Sequence, residues 1–409
     1  MSATLGLNAA RACDPAAYAI SGRPPRFAVR PETREELSEA LRAAALDRLR
    51  VVPWGGGVAL ARESAPAAFD VALDTRGISK IIEYNPDDLT LTAECGASLE
   101  TLRETLAARG QELPIEAAED WGATLGGALA ANACGARRAA LGAPRDRILG
   151  ARFALGDGTI ARSGGKVVKN VAGYGIHRLL CGSRGALAVI VEASLKLQPA
   201  PASRAALVYA IDRARLAEVQ RWERFARMRP AVLTVLGAEI AERDPTLAAG
   251  DAFAVVVGLE GEAADVELDC DRTREALGVP RLKVSDASAA TLWQRLADFE
   301  ELPGTRLSFT SAHLTPEVLP ALPLGVLGRA VFHAACGRLH VFPGAGDPTP
   351  LVREIEAHGF TMIAVRGARI EPPIPPQIAV KAMRAAIRSA LDPGSRFSFG
   401  EAWEGGPAV

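Results

Sequence analysis

The stretch RVVPWGGG at residues 50–57 runs from a short apolar strand candidate directly into three consecutive glycines. Upstream of it, Thr33 and Glu36 form a capping box ahead of a row of apolar residues, which predicts a helix over residues 31–49. Downstream, apolar residues alternate with polar ones between residues 78 and 94, which predicts strands. The order helix, strand, glycine loop and strands indicates an α+β fold.

The glycines at residues 55–57 also suggest a binding function. Consecutive N–H groups in a tight glycine turn form a concave surface that binds an anion such as a pyrophosphate. Two further glycine clusters follow, at residues 122–135 and 182–185. Any one cluster taken alone is better explained by an ordinary turn.

Later signals in the sequence divide the chain into domains. Ser98 caps a second helix that ends at Gly110, and residues 147–162 form a hairpin candidate around an Asp-Gly turn. A last apolar strand ends near Pro199, where a Pro- and Ala-rich segment begins. We therefore predict a domain boundary near residue 200, followed by a second α+β domain over residues 201–409 that includes a helix at 376–391. The start of the first domain at residue 24, and with it an N-terminal extension over residues 1–23, is implied by a family resemblance that covers residues 24–200.

Composition excludes several classes of protein. The chain has 409 residues, of which 49% are hydrophobic, enough for two domains. Its 47 Lys and Arg nearly balance its 48 Asp and Glu, so no overall field attracts nucleic acid or an anionic membrane. The six cysteines form no CxxC pair, which indicates reduced thiols rather than a disulfide framework, a zinc site or an iron–sulfur site. No run of apolar residues suits a signal peptide or a membrane span, so we expect a cytoplasmic protein.

The common nucleotide and hydrolase motifs do not fit. No GxGxxG lies between a strand and a helix, and the segment GGKV at residues 164–167 lacks the Ser or Thr that follows the lysine of a P-loop. The segment CGSRG at residues 181–185 is superficially similar to a serine hydrolase elbow, but Cys181 replaces its first glycine.

A resemblance to a known family covers residues 24–200. Five segments resemble, in order and approximate spacing, the FAD-binding domain of the vanillyl-alcohol-oxidase type, also called the PCMH type: PWGGG at 53–57, LTLTAECG at 89–96, GATLGG at 122–127 with NACG at 132–135, residues 148–158, and VKNVAGY at 168–174. The segment GGKVVKNVAGY at 164–174 is similar to FAD-binding subunits of bacterial glycolate oxidases. The resemblance implies an FAD-binding domain of two α+β subdomains, followed by a smaller α+β cap-like domain.

The resemblance also implies which residues hold the cofactor. The first loop would wrap the FAD pyrophosphate, a second loop would continue the site, Pro114 would lie near the isoalloxazine, and a third stretch would meet the adenine end. The implied set is Pro53, Trp54, Gly55, Gly56, Gly57, Val58, Ala59, Pro114, Thr124, Gly126, Gly127, Asn132, Gly135, Gly185 and Ile190. Many relatives attach FAD through a His after the first loop, where this chain has Val58, so we predict non-covalent FAD. Cys134 lacks the surroundings of a cysteinyl attachment.

Catalytic residues are harder to assign. Lys169 and Tyr174 either contact the flavin or pack the domain, and the Asp that follows the tyrosine in the family is Gly175 here. We interpret His177 as a residue on a helix surface.

The resemblance also bears on metal binding. Related 2-hydroxy-acid dehydrogenases carry a metal motif, of which HAACGRLH at residues 333–340 looks like a degraded copy. His333 and His340 are candidate ligands for zinc, iron or manganese, or ordinary strand histidines, and we expect no metal.

The resemblance implies a role in oxidising glycolate, a small 2-hydroxy acid, to glyoxylate. Because the chain has no set of cysteines for an iron–sulfur cluster, the resemblance implies a second flavin subunit and an iron–sulfur subunit as partners. Any peripheral association of this chain with the inner membrane would be through those partner subunits. Two alternatives stay open: a self-sufficient 2-hydroxy-acid or sugar dehydrogenase on the same fold, and a non-catalytic scaffold subunit.

Overall fold

The structure is a computed structural model that describes residues 10–60, 66, 69–117, 122–166, 173–220, 227–299, 302, 304–311, 318–366 and 378–399. The chain forms two compact units. Unit 1 contains residues 1–133, 143–200 and 375–406, and unit 2 contains residues 134–142, 201–374 and 407–409.

Both units contain strands and helices. The strands are β1 (Arg11–Cys13), β2 (Phe27–Arg30), β3 (Val51–Trp54), β4 (Val71–Asp74), β5 (Ile81–Asn85), β6 (Thr90–Glu94), β7 (Gln111–Glu112), β8 (Ile148–Ala154), β9 (Ile160–Gly164), β10 (Val189–Lys196), β11 (Gln198–Pro199), β12 (Ser203–Ile211), β13 (Val232–Leu236), β14 (Phe253–Gly261), β15 (Leu282–Ser285), β16 (Arg306–Thr310), β17 (Ala330–His333), β18 (Arg338–Val341) and β19 (Thr361–Arg366). The helices are α1 (Arg34–Leu46), α2 (Leu99–Ala107), α3 (Leu125–Ala131), α4 (Arg138–Leu141), α5 (Pro144–Arg147), α6 (Ile176–Leu180), α7 (Leu216–Gln220), α8 (Ala238–Ala241), α9 (Ala263–Leu277), α10 (Asp286–Phe299), α11 (Val318–Ala321), α12 (Leu324–Leu327), α13 (Thr349–Ala357) and α14 (Ile378–Leu391).

Unit 1 is built on two larger sheets and one small one. The first has the order β1-β2-β4-β3, with β2 and β3 parallel to β4. The second is antiparallel, in the order β5-β6-β10-β8-β9, and β7 pairs with β11. Helix α1 packs the apolar face that includes Leu37 and Leu41 into a core shared with Val51 and Leu73. The helices and the two larger sheets of unit 1 agree with the predicted α+β fold of the first domain.

Unit 2 is built on one antiparallel eight-stranded sheet, in the order β15-β12-β14-β13-β17-β18-β16-β19. Its central strands are apolar on both faces, because separate cores cover each face. On β14, for example, Val255 and Val257 belong to one core and Ala254 and Val256 to the other.

The local sequence signals hold in the structure. Thr33 accepts a hydrogen bond from the Glu36 N–H (3.1 Å) at the start of α1, and Ser98 caps α2 in the same way. The predicted hairpin is formed by β8 and β9, which pair antiparallel. Within the part of the chain that the structure describes, no helix is both long and apolar enough to cross a membrane.

The two units differ from the predicted domains at both ends of the chain. The predicted extension over residues 1–23 contributes β1 to the first sheet of unit 1. The C-terminal segment, predicted as part of the second domain, returns to unit 1, where Phe397 is fully buried in the core of the first sheet. The two divisions differ at these places because strand pairing and core packing join segments far apart in sequence, which local composition does not report.

Candidate functional site

The first glycine loop follows directly from β3. Residues Gly55, Gly56 and Gly57 are half-buried, and Gly57 has a φ of +80°, a left-handed conformation that favours glycine. Among the described residues, none accepts a hydrogen bond from the backbone N–H of these three glycines. Partly buried backbone donors need a partner, so the loop offers three adjacent N–H groups to a bound anion.

The second glycine loop lies against the first. A side chain at Gly55 would collide with the hydroxyl of Thr124, and one at Gly56 would collide with the carbonyl of Gly122. These two positions require glycine because the two loops touch. The sequence placed the loops 65 or more residues apart, and the structure brings them into contact.

The second loop is fixed by the turn that follows β6. The backbone N–H groups of Leu125 and Gly126 donate to the carbonyls of Ala97 (2.9 Å) and Cys95 (2.7 Å). Thr124 caps α3 by accepting from the Gly127 N–H at 3.2 Å. A side chain on Gly126 would approach Cys95 to 2.9 Å, so glycine is needed here for packing.

The third glycine cluster adjoins both of these loops. The N–H groups of Gly182 and Arg184 donate to carbonyls of α3, those of Leu129 (3.1 Å) and Ala130 (2.9 Å). Gly185 has a φ of +72°, and a side chain there would lie 3.2 Å from Pro53. The structure therefore brings together the three glycine clusters that the sequence singled out.

Most other predicted cofactor residues also lie in unit 1. Ile190 is buried on β10, and Pro114 is buried in the extended segment after β7. Val58 packs against the core of the second sheet, whereas Ala59 is exposed. Asn132 ends α3 in the left-handed conformation.

Gly135 is the exception among these residues. It belongs to the segment Cys134–Gly142, which is part of unit 2. In that segment the Cys134 sulfur accepts a hydrogen bond from Arg138 at 2.6 Å.

A buried carboxylate lies at the end of β4, opposite Trp54 in the strand register. Asp74 is fully buried and accepts hydrogen bonds from the Tyr18 hydroxyl (2.7 Å) and from Arg30 Nε (2.8 Å). It also accepts hydrogen bonds from Nε (2.9 Å) and Nη2 (2.8 Å) of Arg76. Burial would raise the pKa of Asp74, but the bonds from Arg76 and Tyr18 lower it below its usual range. Sequence reasoning missed this cluster, although an Asp at the end of an apolar strand is a signal that could have pointed to it.

His177 is buried rather than on the helix surface, which corrects the sequence interpretation. Only 7% of it is exposed, and its Nδ1 lies 2.9 Å from the Ser163 hydroxyl. Because that hydroxyl donates to the carbonyl of Tyr174 (2.8 Å), the His177 Nδ1–H must be the donor to Ser163. Burial, and then the charge of Arg178, lower the pKa of His177. The ring faces inward because α6 packs on β8 and β9, which its sequence does not reveal.

Of the two catalytic candidates, Tyr174 is 91% exposed, and Lys169 lies outside the described residues. The Tyr174 side chain therefore does not pack the domain.

The two histidines of the degraded motif lie side by side on β17 and β18, with ring centroids 5.8 Å apart. Each is at least 98% buried, and each Nδ1 is 2.9 Å from a hydroxyl, Thr234 for His333 and Ser308 for His340. Arg338 is the cross-strand neighbour of His333. Within the described ranges, no three His, Cys, Asp or Glu residues come together as a metal site would require.

Comparison with known proteins identifies the domain. Residues 25–164 match the family model described as an FAD binding domain. The chain carries a PCMH-type FAD-binding domain. FAD is the cofactor of this domain, and the loop at Gly55, Gly56 and Gly57, whose N–H groups have no acceptor among the described residues, fits a pyrophosphate.

Curated relatives of this FAD-binding chain include glycolate oxidase subunits. It is 34% identical over 248 residues to glycolate oxidase subunit GlcE of Escherichia coli, covering 58% of this chain and 63% of that protein. It is 30% identical over 184 residues to glycolate oxidase subunit GlcD of Bacillus subtilis, covering 45% of this chain and 39% of that protein. The chain thus spans less than two thirds of the length of these relatives.

Solved structures show the same fold at low identity. Alkyldihydroxyacetonephosphate synthase superimposes with a TM-score of 0.69 at 16% identity, over 92% of this chain and 76% of that one. p-Cresol methylhydroxylase with substrate bound gives a TM-score of 0.69 at 15% identity, over 93% and 89% of the two chains. These likenesses establish the PCMH-type α+β fold.

Proposed function

We propose that this chain is the FAD-binding subunit of a glycolate-oxidase-type enzyme and takes part in the oxidation of glycolate to glyoxylate. The observation that carries the proposal is the set of three adjacent glycine loops, which leaves the N–H groups of Gly55, Gly56 and Gly57 available for the FAD pyrophosphate. The similarity to glycolate oxidase subunits supports glycolate as the substrate.

The reaction removes two electrons and two protons from the alcohol carbon and hydroxyl of the substrate. When bound, FAD supplies the acceptor for the electron pair. The residues of unit 1 bind and orient the cofactor: the first loop holds the pyrophosphate, while Thr124 and Pro53 hold the neighbouring loops at contact distance. The same proposal places Pro114 near the isoalloxazine, and Gly185 and Ile190 toward the adenine end. It includes non-covalent FAD, with no bond at Val58.

The electrons then pass to partner subunits in this proposal, a second flavin subunit and an iron–sulfur subunit. Two features of the chain support a need for partners. The histidine pair His333 and His340 does not form the family's metal site among the described residues, and the six cysteines contain no cluster-binding pattern. A cytoplasmic location, peripheral to the inner membrane through those partners, belongs to the same proposal.

The experiment compares two samples. One is the purified full chain alone, and the other is a complex of the chain with the second flavin subunit of a glycolate oxidase. Anaerobic glycolate is added, and the visible absorbance of the bound flavin is followed, with acetate as a control that lacks the hydroxyl. We expect flavin in the isolated chain, and reduction of the flavin by glycolate only in the complex.

Other outcomes contradict the proposal in different ways. Rapid flavin reduction by glycolate in the isolated chain would indicate a self-sufficient dehydrogenase. A folded chain that holds no flavin, alone or in the complex, would indicate a scaffold subunit.

A further inference from the structure

Tyr18 lies outside the matched family segment, which begins at residue 25, yet it is built into unit 1. It ends the short 3-10 helix Pro15–Tyr18, which Asp14 caps by accepting from the Ala16 N–H at 2.9 Å. The preceding strand β1 pairs with β2. The N-terminal segment thus carries a side chain into the unit that binds FAD, and Tyr18 is only 3% exposed.

The Tyr18 ring contacts the residue from which the first FAD loop starts. The rings of Tyr18 and Trp54 meet edge to face, with centroids 5.2 Å apart and planes at 75°. The Trp54 indole lies next to its own loop. A side chain on Gly57 would come within 3.1 Å of Trp54 Nε1. Tyr18 therefore holds the ring on which the left-handed turn at Gly57 rests.

The phenol end of Tyr18 is fixed in turn by Asp74. Its hydroxyl donates to the Asp74 carboxylate at 2.7 Å, and Arg30 and Arg76 hold the same carboxylate in place. Burial, and then the bond to Asp74, raise the pKa of Tyr18 to about 12, so the phenol stays protonated and remains a donor across the working pH range. Next to Asp74, the Thr75 hydroxyl donates a hydrogen bond to the Trp54 carbonyl (3.1 Å). This bond also holds the end of β3, from which the first glycine loop starts.

We propose that Tyr18 is a positioning residue for FAD: it links the Asp74 carboxylate to the Trp54 ring and so sets the conformation in which the Gly55, Gly56 and Gly57 N–H groups face the pyrophosphate. The proposal rests on the assignment of FAD to this loop. With this role for Tyr18, the segment that precedes residue 25, where the family match begins, contributes to the cofactor site.

The test titrates the flavin-free full chain with FAD and follows the flavin fluorescence, at a temperature well below the unfolding transition. Tyr18→Phe keeps the ring contact and removes the hydroxyl, and Tyr18→Leu removes both. Tyr84→Phe is the matched control, because the Tyr84 hydroxyl also donates one side-chain hydrogen bond, to Gln111 at 3.0 Å, on a different sheet of unit 1. The melting temperature of each flavin-free variant is measured separately.

We expect Tyr18→Phe to bind FAD about fivefold more weakly, the effect of one buried hydrogen bond. Tyr18→Leu should bind FAD about tenfold more weakly than Tyr18→Phe does, because the aromatic contact with Trp54 is also lost. Tyr84→Phe should bind FAD as the wild type does, even if its melting temperature falls as much as that of Tyr18→Phe.

Two results would overturn the inference. If Tyr18→Phe binds FAD as tightly as the wild type, or if Tyr18→Phe and Tyr84→Phe lose the same affinity, Tyr18 has no special role toward the cofactor. Tyr18→Phe alone decides the question if Tyr18→Leu does not fold. Failure of the wild-type chain to bind FAD at all is a separate result, which would remove the FAD assignment and this proposal together.

Discussion

Gly56 packs directly against the carbonyl of Gly122, with no room for a side chain between them. This contact joins the first and second glycine loops of the FAD-binding domain. Its consequence is that the direction of the Gly55, Gly56 and Gly57 N–H groups depends on a segment more than 60 residues away in the chain. Changes at the contact should therefore act on cofactor binding before they act on the overall fold.

Gly56→Ala tests the loop contact. The added methyl group would overlap the Gly122 carbonyl, so the loop must shift. If the loop binds the pyrophosphate as we propose, that shift removes at least one N–H bond to the anion. We expect FAD affinity to fall about tenfold or more, since one hydrogen bond to a charged group is worth about 1.5–3 kcal/mol. Gly325→Ala is the control, because a side chain there meets nothing within 4 Å. Equal FAD affinities of the two variants, measured by flavin fluorescence, would show that the contact does not shape the site.

Phe397→Ala tests whether the C-terminal segment belongs to the core of unit 1. Phe397 is fully buried beside Val51 and Leu73, so truncation should cost about 3–5 kcal/mol of the free energy of unfolding. Met383→Ala, on the same segment but with the methionine 58% exposed, should cost less than about 0.5 kcal/mol. Urea unfolding followed by flavin fluorescence measures both, and similar midpoints for the two variants would argue against the packing.

His177 should make stability depend on pH. Its pKa is lowered in the folded chain, so the folded state favours the neutral ring while the unfolded state takes up a proton at its ordinary pKa of about 6.5. The stability that His177 contributes is therefore present above about pH 6.5 and is lost as the pH falls toward the lower folded-state value.

His177→Asn keeps a side-chain donor for Ser163 and does not titrate. We expect the melting temperature of the wild type to fall more than that of this variant between about pH 7.5 and about pH 5.5. His358→Asn, at a half-buried histidine of unit 2, is the control variant for the loss of a histidine. Parallel curves for the wild type and His177→Asn would contradict the buried neutral ring.

FAD should leave the chain on denaturation. Val58 follows the glycine loop directly, and a valine side chain cannot form a covalent bond to the flavin. After acid precipitation of the flavin-loaded chain, we expect all flavin fluorescence in the supernatant. Fluorescence in the washed pellet would contradict this, and its loss in Cys134→Ser would then identify the thiol as the attachment point.

The sequence predicted those parts of the fold that depend on local signals. The Thr33 and Ser98 caps and the hairpin between β8 and β9 act within a few residues, and each is present in the structure. The three glycine clusters were found from their glycine content, and the family resemblance then gave them a role in binding FAD. Their mutual contacts were not predicted, since nothing in one loop specifies which other backbone it touches.

The missed features all depend on distant residues. Tyr18 and Asp74 are 56 positions apart, so although Asp74 ends an apolar strand, nothing near it in the sequence indicates Tyr18 as its partner. His177 looked like a surface residue because its own helix is short and carries an adjacent arginine. Phe397 enters a core whose other members precede residue 192. In each case tertiary packing decided the environment of the side chain.

The most direct test of the FAD site is hydrogen–deuterium exchange of the full chain, with and without FAD. The account predicts that the amides of Gly55, Gly56 and Gly57, which have no acceptor among the described residues, exchange rapidly in the flavin-free chain and are protected when FAD is bound. A peptide from α1 should exchange equally in both states. Saturating FAD that leaves exchange in the glycine loop unchanged would contradict the account.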